Sequence, residues 1–113
     1  MKNEQPTARA VILRLTDVLG PALVGAVAGL EGPAPVKTWM IRPPDAGKET
    51  RLRVAYEVVE MIAEIESAEV ALIWMCGSNP LLDDRNPAFE IGRGGGDAVL
   101  KAARAYLKDP MLT

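Results

Sequence analysis

The chain has 113 residues, of which 49% are apolar but only 4% aromatic, and a formal net charge of -2. That length is about one domain, with roughly two-thirds of the unfolded surface buried around one core. Cys76 is the single cysteine and there is no His, which excludes an intrachain disulfide, a Cys–His nucleophile pair and a zinc site built on both.

The aromatic residues are Trp39, Trp74, Tyr56, Tyr106 and Phe89 alone, so the core must come from Ala, Val, Leu, Ile and Met, a palette that suits packed helices better than sheets. The predicted fold is all-α, a compact bundle of short helices. Cys76 is expected to be a buried, inert thiol, as free cysteines tend to be. No apolar run approaches the roughly 18 residues of a membrane span, and Met1 to Pro6 lacks a signal peptide's hydrophobic stretch. A cytoplasmic protein without a membrane partner or cofactor is therefore expected. Residues 1–56 carry eight basic side chains against five acidic, and residues 57–113 five against ten. A positive N-terminal half can approach a polyanion, and an acidic C-terminal half can meet a basic protein surface.

The first helical pattern runs from Thr7, an N-cap, to Leu19, with Val11, Leu15, Val18 and Leu19 at helical spacing. Gly20-Pro21 ends it and starts a second short helix to Ala28, small and apolar on nearly every side. After a turn at residues 29–33, Ala34 to Met40 reads as one or two turns of a third helix carrying Val36 and Trp39. The break at residues 42–47, with Pro43-Pro44, is the best candidate for a hinge. The longest helix is predicted over Lys48 to Ile65, with Leu52, Ala55, Val58 or Val59, Ile62 and Ile65 as its apolar stripe. Ser67 caps the next, whose buried face is expected at Val70, Ile73 and Trp74 and which Gly77 terminates. Asn86-Pro87 opens a short helix to Gly92. The last runs from Asp97 to Lys108, with Val99, Leu100, Ala103, Tyr106 and Leu107 inward.

Several local patterns invite chemistry and have a plainer reading. The glycines of residues 92–96 precede a helix, where backbone N–H groups attract anions, but no strand precedes them and no Lys-Ser/Thr follows, so a connector is expected. Asp83-Asp84 lacks further ligands at calcium or zinc spacing. Glu57, Glu60 and Glu64 share a helical face without a complementary base, so an exposed acidic face is expected rather than acid–base catalysis. Trp39 and Trp74 lie on apolar stripes and are expected in the core rather than at an interface. The three short helices from Thr7 to Met40, with Gly25, Ala26 and Ala28 in the middle one, have the spacing of a degenerate helix-turn-helix. Lys37, Thr38 and Arg42 are the polar groups its third segment offers to DNA. No Gln, Asn or Arg inside that segment reads a base edge, so phosphate contact is what it supports.

From Leu52 onward the chain resembles the toxin-binding antitoxins of the Xre/MbcA/ParS type, bacterial partners of RES-domain toxins that destroy NAD. The residues that carry the likeness are Leu52-Arg53-Val54-Ala55-Tyr56, then residues 71–82 with Trp74 and Gly77-Ser78-Asn79-Pro80-Leu81-Leu82, then Pro87, Ile91, Gly92 and residues 99–105. Upstream, Leu19 to Gly29 and Val36 to Trp39 look like the degenerate helix-turn-helix found ahead of that module. The resemblance implies a helix-turn-helix-like part over residues 1–47 and a toxin-binding helical part over 48–113, together one compact domain. It further implies an antitoxin, not an enzyme, that covers its toxin's NAD pocket, dimerises through the N-terminal part and, in many members, binds operator DNA. The toxin contacts it implies are Asn79, Asp83, Asp84, Arg85, Arg104, Lys108 and the tail to Thr113. A stand-alone transcription regulator and an orphan interaction adaptor are the alternatives.

Overall fold

The computed structural model describes residues 5–109 and places six helices in the order α1 (Ala8–Ala28), α2 (Val36–Ile41), α3 (Ala46–Ile65), α4 (Ala68–Cys76), α5 (Pro87–Gly92) and α6 (Gly96–Lys108), with a 3₁₀ turn at Pro80–Leu82 between α4 and α5. The all-α expectation holds: there is no strand among the described residues, only an isolated antiparallel bridge between Asn79 and Arg85.

Most helix starts are written as caps. The side chains of Thr7, Ser67 and Asn86 accept hydrogen bonds from the backbone N–H of Ala10, Val70 and Phe89, each satisfying a donor that the first turn leaves without a helical partner. Asp45 does the same for α3 through Lys48, so α3 begins at Ala46, two residues before the predicted start. The two helices predicted on either side of Gly20 run on as one element bent there: Gly20 has φ 83° and ψ 157°, a conformation only glycine adopts without strain. Pro21, lacking an N–H, then restarts the helix.

α1 rests chiefly on α3 and α5, while α3 also packs on α4 and α6. One core cluster therefore spans both halves of the chain, including Ile12, Leu15, Leu52, Ile62, Met75 and Ile91, all fully buried. Truncating any one of them to alanine costs about 2–5 kcal/mol. Trp39 is in this core as expected, at 7% exposure. Close helix approach depends on two glycines. A Cβ on Gly92 of α5 would lie 2.0 Å from the Ala26 carbonyl oxygen of α1, and one on Gly25 would lie 2.0 Å from the Gly32 carbonyl oxygen in the turn that folds back after α1. The α3 guanidinium of Arg51 donates to the Ala28 carbonyl at 3.0 and 3.3 Å, a cation placed on the negative end of α1.

Four expectations are corrected. Ile65, read as the end of the α3 stripe, is 64% exposed, because the stripe has rotated off the core by the last turn. In α4 the buried residues are Ala71 and Met75, and Ile73 stands 67% exposed. Cys76 follows on the same outer side and is exposed rather than buried. Finally, α1, with Gly20-Pro21 inside it, is 21 residues long with a mean hydropathy of 1.7 over an 18-residue window, so a helix of membrane-spanning length and apolarity is present. Its Val11, Ile12, Leu15, Leu19, Val24 and Val27 are all buried in the core.

Candidate functional site

Between α4 and α5 the chain makes one tight turn organised by Asn79. Gly77 leaves α4 in an extended conformation. The Asn79 side-chain oxygen then accepts from Leu81 N at 2.9 Å, its N–H donates to the Arg85 carbonyl at 3.2 Å, and its own carbonyl accepts from Leu82 N and Asp84 N, both at 2.9 Å. A short carboxamide next to proline can stand in for backbone in this way. The result is that Asn79 is only 3% exposed, which corrects the exposure expected of it: its bonds build the turn on which Asp83 and Asp84 stand.

The turn projects Asp83 and Asp84, both exposed and both in the left-handed region at φ 57° and 63°, which aspartate tolerates better than most residues. Arg85 reaches back inside the module, with Nε 2.7 Å from Glu90 and Nη2 3.6 Å from Asp83. Arg104 belongs to a different place. It lies 3.6 Å from Glu57 on an open groove of about 840 Å3 whose lining also includes Arg53, Tyr56, Glu60 and Glu64. Glu60 in turn holds Arg14 at 2.7 Å, so the acidic face is partly neutralised. Lys108 is exposed at the end of α6, and Thr113 lies outside the described residues.

Beside the turn is a cavity of about 250 Å3, lined by Val70, Ile73, Trp74, Gly77, Ser78, Asn79 and Tyr106. The Trp74 and Tyr106 ring centroids are 6.3 Å apart at an interplanar angle of 40°. The Tyr106 hydroxyl donates to Glu66 at 2.9 Å; burial first and then this bond push its phenol above the ordinary tyrosine range. Trp74 Nε1 is buried and has no hydrogen-bond acceptor among the described residues. Sequence reasoning missed this place by assigning Ile73 inward, whereas Trp74 is half-buried and packs against the core as expected. The signal was available: residues 70–75 are apolar without a break, and a helix lying on a core can turn only part of its circumference inward.

Lys37 and Thr38 stand exposed on α2 and Arg42 exposed just after it. The α1 side chain Arg9 joins them, donating to the Met40 carbonyl at 2.6 Å. These candidates share one segment, but α2 is only six residues long and its first turn has no side-chain cap. Among the described residues no group of three or more His, Cys, Asp or Glu is placed to hold a metal ion. Comparison with known proteins gives no match to any family model, curated protein or solved structure.

Proposed function

We propose that the chain is the antitoxin of a type II toxin–antitoxin pair, which neutralises a RES-domain, NAD-degrading toxin by seating its C-terminal half over the toxin's active site. The observation that carries the reading is the uncovered apolar surface on the very elements that resemble a toxin-binding module. Ile73 of α4, Leu81 of the 3₁₀ turn and Phe89 of α5 are 67%, 48% and 55% exposed. Leu13, Ile41 and Ile65 are exposed elsewhere, at 50%, 85% and 64%, and apolar side chains mark an interaction surface where they gather in one patch; Ile73, Leu81 and Phe89 lie on three consecutive elements. The net acidity of residues 57–113 favours a basic partner, and an enzyme that binds a dinucleotide through its phosphates presents cations at its pocket. On this reading the protein is not an enzyme, acts in the cytoplasm without a membrane, and assembles as a homo-oligomer.

The gene beside this one is expected to encode a RES-domain protein, and co-expression with that protein tests the proposal. Rescue of growth with retention of cellular NAD is expected; loss of NAD at the same rate with and without the chain overturns it.

A second reading, DNA binding for autoregulation or as a stand-alone regulator, is favoured by the clustering of Arg9, Lys37, Thr38 and Arg42 on and beside α2. Phosphate contacts of this kind give binding that falls steeply between about 50 and 200 mM salt. A mobility-shift assay on the promoter fragment at low salt reads it, and the absence of a shift there excludes it.

A further inference from the structure

The open groove of about 840 Å3 follows the outer face of α3 from Thr50 through Glu57 and Met61 to Glu64, and is bordered by Arg104 of α6. Thr50 to Glu64 rises about 21 Å at 1.5 Å per residue. α6, with 13 residues, is about 20 Å long by the same rise, so the groove has the length of the helix beside it. Charge follows the same line. Glu57, Glu60 and Glu64 stand on α3 at i, i+3 and i+7, and Lys101, Arg104 and Lys108 stand on α6 at the same spacing. The two helices run in the same sense: a Cβ on Gly96 would meet Val54 at 3.2 Å near one end, and Tyr106 donates to Glu66 at the other. An acidic row therefore lies alongside a basic row. Within one copy only Arg104 and Glu57 join them, at 3.6 Å; Glu60 is held by Arg14 and Arg53 by Glu49. Lys101, Lys108 and Glu64 are exposed and hold no ion pair among the described residues.

We propose that the chain forms a symmetric homodimer in which α6 of each copy seats in the α3 groove of the other, with Lys101 and Lys108 answering Glu57 and Glu64 across the interface. The symmetry follows from the two rows. A two-fold axis running between α3 and α6, along their common direction, turns the basic row of each copy onto the acidic row of the other, so one patch serves as both halves of the contact. Shape agrees with charge. The short side chains of Ala98 and Ala105 lie one turn from Lys101 on α6, so the helix can sink toward the half-buried Val54 and Met61 of the groove and remove apolar surface from water. Complementary rows fix the register and speed the encounter. The dimer stands independently of the antitoxin reading; in it Arg104 and Lys108 face a second copy rather than a toxin.

Sedimentation velocity of the full chain alone reads the association. A dimer is expected at about 50 mM salt that loosens toward monomer near 500 mM, as the Debye length falls from about 14 Å to about 4 Å. Lys101→Glu with Lys108→Glu, and separately Glu57→Lys with Glu64→Lys, change exposed positions. Each pair is expected to keep the helical circular dichroism and to weaken self-association about tenfold or more. Mixed in equal amounts, the two reversed chains are expected to recover the dimer, because each reversed row then meets its opposite; a misfolded variant gives no such recovery. Ile41→Asp, on the 85% exposed α2 side chain, is expected to associate as wild type. A monomer at both salts overturns the dimer. A dimer kept by both reversed chains, or lost in Ile41→Asp, overturns this interface, and a mixture that stays monomeric overturns the pairing of the rows. Toxin neutralisation is read separately by co-expression, so the two proposals fail independently.

Discussion

Asn79 shows how one side chain decides what its neighbours present. Its amide oxygen caps the 3₁₀ turn and its backbone bonds close the loop to Arg85, so Asn79→Ala is expected to cost about 1–2 kcal/mol by urea denaturation. Unchanged stability together with lost partner binding would return Asn79 to the contact surface. Tyr106 is the residue whose ionisation reports on the cavity. Its neutral form is favoured in the folded state, so its stabilisation is complete below the free phenol value of about 10 and is lost as pH rises through the raised value. In a Tyr56→Phe background, phenolate absorbance should appear above the free-tyrosine range, and Glu66→Gln should bring it part of the way down, burial accounting for the rest. The burial of Asn79 is not legible in the sequence, because turn residues are ordinarily solvated; its N–H bonds to the Arg85 carbonyl across the loop, a contact that spacing alone does not predict.

At the level of elements, the crossings of α1 with α5 and with its own following turn are set by absent side chains. Gly92→Ala and Gly25→Ala each place a methyl 2.0 Å from a backbone carbonyl and are expected to destabilise by about 1–3 kcal/mol or more. Gly32→Ala, where an added Cβ would meet nothing within 4 Å among the described residues, should change the thermal midpoint little. Equal midpoints for all three would mean that the crossing relaxes freely. The helices themselves were largely legible: Thr7, Ser67 and Asn86 cap where their sequence context indicates, and α5 spans Pro87–Gly92 as read. What was not legible was which side of α4 faces in. With apolar residues on every side, periodicity carries no phase, and the choice fell to packing, which took Ala71 and Met75 and left Ile73 outside. The candidate site was misread for the same reason.

For the whole molecule, the shared apolar core sets how the N-terminal part lies on α3, and the ion pair between Arg14 and Glu60 bridges the two helices beside it. That pair is 2.7 Å apart with both side chains more than a third exposed, so a double-mutant cycle with Arg14→Ala and Glu60→Ala should give a coupling of about 0.2–1 kcal/mol that shrinks as salt is added. A coupling independent of salt would place the pair in a drier setting than its exposure indicates. The core draws on both halves of the chain, and this has a consequence during synthesis. α1 leaves the ribosome before α3 and α5, on which it chiefly rests, and it is by itself as long and greasy as a membrane-crossing segment. Until the later helices are translated, Val11, Ile12, Leu15 and Val24 lack the α3 and α5 surfaces they rest on, so a nascent or truncated product ending before α3 offers bare apolar side chains to chaperones and to other copies of itself.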